Sequence, residues 1–355
     1  MRTQYSVKIN MRKLLFLNLI LLLTGCQKEK ITLSADASEA FYVENTGASM
    51  RVLVQGNTLS KTFILFIHGG PGVSSYFYDT KYISRNIGDK YAIVYWDQRN
   101  AGASQGTSNG GYLHLDQMVE DLKKVIEVLK FRYGQDMSLF LLGHSFGGLL
   151  AVDFITTPGY QDLIKGYIDV DGSHNYPLND TLTRQMLLTE GNFQVSQNKN
   201  IEGWRPIISY CNSHLGNFTL EESQQLETYA TQAENYIDSI NHINIVNLVL
   251  KYSIPDQIPL TAVLSNLLYS EDSNFNKELA VTQFSSSLNI VTIPALVLWG
   301  KYDFTCPQAL GEDFYNRINS NDKSMAISQI SGHNMIFQDK KFFCDEVNAF
   351  VLNHK

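Results

Sequence analysis

The sequence predicts an α/β architecture: a doubly wound, mostly parallel sheet with a helical segment inserted late in the chain. Three observations predict it. Short apolar runs of strand length, at residues 63–67, 91–96, 139–142 and 166–170, alternate with stretches of helical periodicity. That alternation is what crossover helices on a parallel sheet require. Between residues 172 and 289 it stops, and the composition turns rich in Asn, Gln, Ser and Tyr. Strand texture then returns at 293–299 and, less cleanly, at 325–330.

Taken in order, residues 41–56 read as an opening β-hairpin, with 50–54 its second strand. Residues 63–67 and 91–96 are core strands. Residues 115–133 form a long amphipathic helix, with Met118, Val119, Leu122, Val125, Ile126 and Leu129 on one face. Gly102 and Gly106, with Ser104 and Ser108, belong to a loop and not to a nucleotide-binding fingerprint. Helical periodicity reappears at 220–240 and around 260–269. The expected organisation is a core made of 41–171 and 290–355, with 172–289 as a helical cap. Trp204, Tyr252 and Tyr269 in that cap read as cap core, with a pocket lining as the alternative.

The chemistry concentrates at Gly143-His144-Ser145-Phe146-Gly147. An apolar strand runs into it and an apolar helical run, 149–152, leaves it at once. A strand that reverses into a helix so sharply has no room for side chains two residues either side of the apex, and it strains the serine backbone. The Ser145 hydroxyl is then held at the strand's carboxyl end, with the Phe146 N–H aimed at the same spot. A nucleophilic serine needs a base and the base needs an orienting carboxylate. Asp303 follows the 293–299 strand and His333 follows the 325–330 strand, so three suitable residues each come just after a strand. Their order, Ser then Asp then His, is that of the α/β-hydrolase fold. Taken singly each would read as a turn or cap residue. His68-Gly69-Gly70-Pro71-Gly72 follows another strand and lets the backbone approach the nucleophile. Gly70, or else Gly69, would give the second oxyanion N–H. No Lys-Ser/Thr pair follows, which argues against a phosphate loop.

The His68–Gly72 loop, Trp96-Asp97-Gln98-Arg99-Asn100-Ala101-Gly102-Ala103-Ser104 and Gly143–Gly148 together resemble the proline iminopeptidase-like branch of the α/β-hydrolases. The resemblance covers residues 52–171 and 293–354 and does not extend to the middle. It implies Ser145 as nucleophile, Asp303 as orienting acid, His333 as base, and release of an N-terminal residue, often proline, from short peptides. The branch carries glycine at the position of Asn100, but asparagine tolerates the left-handed conformation the turn needs. His144 and Phe146 around the serine are a variant widespread among esterases of this fold. The resemblance further implies cap carboxylates for the substrate's α-ammonium. The cap offers Glu221, Glu222, Glu227, Glu234 and Asp238, which otherwise read as a solvated face. A carboxylesterase is the alternative function, and a lipid-anchored binding protein that lost activity is the rival from another class. No cofactor or metal is called for, and the Cys and His spacing shows no zinc pattern.

The 355 residues suffice for one core plus an insertion, and 44% hydrophobic with 18% charged residues is a globular composition. A net charge of −7 with no basic run beyond the leader disfavours nucleic acid and leaves a small molecule or short peptide as the partner. The leader itself is informative. Met11-Arg12-Lys13 is basic, 14–23 is an apolar run too short to span a bilayer, and Leu23-Thr24-Gly25-Cys26 resembles a bacterial lipobox. Residues 1–26 are expected to be a lipoprotein signal peptide, with Met11 as an alternative start, Cys26 as the lipid-bearing residue and 27–40 as a tether. Lipid is then the link to the membrane, and Gln27, which is not Asp, favours the outer membrane. Cys211, Cys306 and Cys344 remain. A bridge between Cys306 and Cys344 is left open, because connectivity cannot be read from sequence.

Overall fold

In the computed structural model, which describes residues 31–106, 113–243 and 273–355, the strand-forming runs join one nine-stranded sheet. The strands are β1 (Ala37–Asn45), β2 (Ala48–Gly56), β3 (Thr62–Ile67), β4 (Ala92–Trp96), β5 (Gln105–Gly106), β6 (Ser138–His144), β7 (Gly166–Val170), β8 (Ala295–Gly300) and β9 (Lys323–Ser328). Their spatial order is β1-β2-β4-β3-β6-β7-β8-β9, with β5 beside β2 off that path. From β4 onward every pair is parallel, whereas β2 runs antiparallel to β1, β4 and β5. All residues of β3, β4, β7 and β8 are buried. Covered on both faces, such strands read as continuous apolar runs and not as alternation.

Helices α1 (Leu115–Tyr133), α2 (Phe146–Thr156), α3 (Tyr176–Ser196), α4 (Ile201–Ser213), α5 (Leu220–Asn235), α6 (Ser273–Val281), α7 (Gln308–Arg317) and α8 (Lys340–His354) complete the described secondary structure, apart from short turns. α1 has the bounds its periodicity predicts. The His114 side chain caps its start by accepting the Gln117 N–H, and Leu122, Val125, Ile126 and Leu129 are fully buried. Each such side chain contributes roughly 1.5–3 kcal/mol. Residues 33–355 form one compact unit.

Helices α3 to α6 lie between β7 and β8. They have their own apolar centre, in which Trp204 is fully buried against Tyr236 and Phe304, ring centroids 5.7 and 6.1 Å away. Trp204 is therefore core. α5 opens with a reciprocal capping box between Thr219 and Glu222, which satisfies two otherwise orphaned N–H groups.

Two boundaries differ from expectation. β1 begins at Ala37, inside the expected tether, because it pairs with β2 in register from Ala37 opposite Gly56. β9 runs Lys323–Ser328, two residues earlier than the apolar pattern suggests, and most of it is only half-buried. Cys211, Cys306 and Cys344 are all buried and free, so the possible bridge is not formed. Cys26 and the leader, Ser108, Tyr252, Tyr269 and the helical stretch around 260–269 lie outside the described residues.

Candidate active site

Ser145 stands between β6 and α2 with φ 56° and ψ −124°, a conformation that costs energy and persists only where the surroundings impose it. Its flanking glycines are steric necessities. A Cβ on Gly143 would lie 2.6 Å from the Gly147 carbonyl oxygen, and one on Gly147 would lie 2.0 Å from that of Ile67. His333 Nε2 is 2.9 Å from Ser145 Oγ, and His333 Nδ1 is 2.9 Å from Asp303 Oδ2. Asp303 is fully buried past the end of β8, and its Oδ1 accepts the Cys306 N–H at 2.7 Å. The structure thus brings together the three residues singled out in the sequence. A carboxylate accepting from Nδ1 leaves Nε2 free to accept the serine proton.

The electrostatics follow from burial. Burial alone would lower the His333 pKa. The charge and hydrogen bond of Asp303, helped by Glu234, outweigh it and hold His333 above its ordinary 6.5. Burial also pushes Asp303 up, partly offset by His333. Asp171 follows β7; its Oδ1 accepts the Gly300 N–H at 2.7 Å and its Oδ2 has no partner. Burial, and then the Asp303 charge, push its pKa well above the ordinary carboxylate value.

His144 ties the serine turn to the histidine loop. Its Nε2 is 2.9 Å from the His333 carbonyl, which can only accept, so Nε2 carries the proton and Nδ1 accepts the Tyr78 hydroxyl at 2.8 Å. Burial and the neighbouring His333 push its pKa down to about 3, which keeps it neutral. The Gly69 N–H donates to Tyr78 Oη at 3.2 Å. Among the described residues, the N–H groups of Gly70 and Phe146 find no acceptor in the protein, and both residues line a cavity with Ser145. Of the two glycines considered as oxyanion donors, Gly70 is the one whose N–H remains available.

The Trp96–Ser104 segment holds that loop in place. Asp97 accepts from Ser74 Oγ at 2.9 Å and from Ser75 N, Ser75 Oγ and Ala103 N at 2.8 Å each. Gln98 donates to the His68 carbonyl at 2.8 Å, and its N–H reaches His68 Nε2 at 3.1 Å. Arg99 pairs with buried Asp121 through Nε at 2.5 Å and Nη2 at 2.8 Å. Asn100 takes φ 56°, the left-handed conformation expected of it.

The five carboxylates of the inserted helices separate. Glu221 is exposed, Glu222 caps α5, and exposed Asp238 pairs with Lys199 at 3.0 Å. Glu234 is buried and accepts the His333 backbone N–H at 3.1 Å; burial, then the Asp303 charge, push its pKa up to about 8. Glu227 reaches two cavities that meet at Ser145. One, of about 390 Å³, is walled by Gly70 and Phe146 and by α3, α5 and α6. The other, of about 450 Å³, is walled by Tyr78, His144, Glu234, His333 and Phe337. No sequence signal marks the role of Tyr78 or the contact of Glu234 with the His333 loop, since both depend on packing between distant segments. Among the described residues no group of three or more His, Cys, Asp or Glu is arranged to hold a metal ion.

Comparison with known proteins agrees with this geometry. Residues 59–176 match the family described as serine aminopeptidase, S33. Over 312 residues the chain is 20% identical to the probable aminopeptidase YbaC of Bacillus subtilis, covering 85% of this chain and 93% of that protein. It is 23% identical over 297 residues to a proline iminopeptidase of Saccharolobus solfataricus, covering 81% and 84%. Among solved structures, the proline iminopeptidase of Mycobacterium smegmatis superposes with TM-score 0.61 at 15% identity, covering 89% of this chain and 98% of that one. An esterase of Exiguobacterium antarcticum superposes with TM-score 0.55 at 17% identity, covering 88% and 99%. The chain has the α/β-hydrolase fold, and proline iminopeptidases and esterases stand among its relatives.

Proposed function

We propose that the protein is a serine hydrolase working through an acyl-enzyme, an aminopeptidase that releases N-terminal residues from short peptides. The observation that carries this reading is the hydrogen-bonded line from Ser145 through His333 to Asp303. His333 takes the Ser145 proton as the hydroxyl attacks the carbonyl, and the Gly70 and Phe146 N–H groups receive the oxyanion. His333 then protonates the leaving amine and activates water for deacylation. Asp303 fixes the imidazole tautomer and stabilises its charge. Glu227, poised between the two cavities, is the carboxylate we assign to the substrate's α-ammonium; Glu234 is already engaged by His333.

The test is turnover by the leaderless protein of prolyl and leucyl p-nitroanilide and of a short-chain nitrophenyl ester. Anilide cleavage that disappears when the substrate amine is blocked supports an aminopeptidase. Cleavage of the ester alone supports the esterase reading, which the aromatic wall of Phe77, Tyr78 and Phe337 beside His333 favours. Ser145→Ala should lower either turnover on the order of 10⁴-fold or more; substantial residual turnover would sink the serine mechanism. From the Leu23–Cys26 pattern we also infer lipidation at Cys26 and anchoring in the cell envelope, with the outer membrane favoured. Cys26→Ala should then leave the membrane fraction, and an unchanged distribution would refute the anchor.

A further inference from the structure

The cavity of about 390 Å³ beside Ser145 contains Gly70 and Phe146 but not His333, which lines the other cavity. Because His333 must hand its proton to the leaving group, the leaving group belongs on the His333 side and the acyl part on this one. The acyl side is rich in hydrogen-bond acceptors. Asp180 of α3 and Glu227 of α5 both line it, and no Lys, Arg or His is among its described lining residues. The ion pairs of the described residues include neither carboxylate. Two of the neighbouring donors are already spent. Ser223 Oγ donates to Asp180 Oδ2, and the Asn179 amide donates to the Thr305 carbonyl at 2.9 Å, leaving its Oδ1 without a partner. Ser173 also lines the cavity; it is only 4% exposed and its Oγ has no partner.

We propose that this cavity is a cation subsite that takes the basic side chain of an N-terminal lysine or arginine, with Asp180 as its specificity-determining residue. The inference rests on the aminopeptidase reading and names its substrate class. An ammonium or guanidinium brings several donors and no acceptor, which matches the two carboxylates and the unpartnered Asn179 Oδ1. A proline ring brings no donor beyond the α-ammonium that Glu227 takes, and so offers nothing to Asp180 or to Asn179 Oδ1. Glu227, between the two cavities, holds the α-ammonium, while Asp180 meets the side chain.

The full chain carrying Ser145→Ala reads binding without turnover. Titrated calorimetrically, it should bind argininamide about tenfold or more tighter than leucinamide or prolinamide. That ratio should fall with added salt, a reading that needs no second variant. Asp180→Asn, which keeps an acceptor for Ser223, should collapse the ratio by weakening argininamide more than leucinamide. Equal binding of the three amides, preference for prolinamide, a ratio indifferent to both salt and Asp180→Asn, or no measurable binding of any amide overturns the subsite. Failure of the peptidase reading looks different. If unsubstituted protein cleaves nitrophenyl esters and no anilide, faster cleavage of the 6-aminohexanoate than of the hexanoate ester upholds the cation subsite, and the reverse order refutes it.

Discussion

On the sheet side of Ser145, the polar groups that hold the loops are tied down, while Asp171 Oδ2 is left without a partner. Asp97 accepts four hydrogen bonds, Arg99 and Asp121 are matched through two, and His144 is held at both ring nitrogens. On the inserted-helix side, Asp180, Glu227, Asn179 Oδ1 and Ser173 Oγ line a cavity with no Lys, Arg or His among its described lining residues. Asn179 Oδ1 and Ser173 Oγ are buried without a partner, which costs free energy, and a fold keeps such groups where something else completes them. The difference teaches how one site divides its work. The sheet side fixes where the reacting atoms are, and the helical side leaves its valences for what binds.

The largest effect should come from breaking the fixed side at its acid. Asp303→Asn offers His333 Nδ1 an amide donor in place of a carboxylate, so the proton moves to Nε2 and the imidazole can no longer accept from Ser145. A loss of about 10⁴-fold in kcat is expected. The pH profile gives an independent reading. Activity needs neutral His333, and in the unsubstituted protein Asp303 holds His333 above its ordinary value against burial. The acid limb of kcat/KM should therefore lie above pH 6.5. With the carboxylate gone, burial dominates and the residual limb should move to lower pH; an upward shift would contradict the assignment.

A second test sets the two sides against each other in stability. Asp121 is fully buried and Arg99 is 2% exposed. Asp121→Ala strands a buried guanidinium and should cost about 3–5 kcal/mol in urea unfolding. Asp180→Asn keeps an acceptor for Ser223 and should cost about 1 kcal/mol or less. Comparable losses would make the helical side structural and erase the contrast.

These two sides were unequally legible in the sequence, for a physical reason. β3, β4, β7 and β8 are buried on both faces, so composition alone marks them. Ser145 and Asp303 follow buried strands of this kind, His333 follows the half-buried β9, and chain order suggested that they meet. β1 was harder: its burial alternates and its first residues, Ala37, Ser38 and Glu39, are small or polar, so pairing with β2 decides where it starts. The helical side depends on tertiary packing. Glu221, Glu222, Glu227 and Glu234 share one helix and the same local texture. Glu222 becomes a cap through its sequence neighbour Thr219, but only the docking of α5 against the sheet loops turns Glu227 toward the cavities and Glu234 against His333.

Glu234 is where the two sides join, and it predicts the smallest effect. It comes from an inserted helix yet is paired like a sheet-side residue, accepting the His333 backbone N–H at 3.1 Å. Its charge is among the influences that raise His333, but burial pushes Glu234 itself up to about 8. Protonation near neutral pH therefore weakens that charge. Glu234→Gln keeps the acceptor and removes the charge, so the acid limb should fall by less than about half a pH unit, with kcat nearly intact. Glu234→Ala removes the acceptor, leaves the His333 N–H unpaired in a buried loop, and should lower kcat about tenfold through misplacement of the imidazole. If the two variants instead gave equal losses, the charge and not the hydrogen bond would be what matters, and Glu234 would belong with Asp180 and Glu227 among the groups left for substrate.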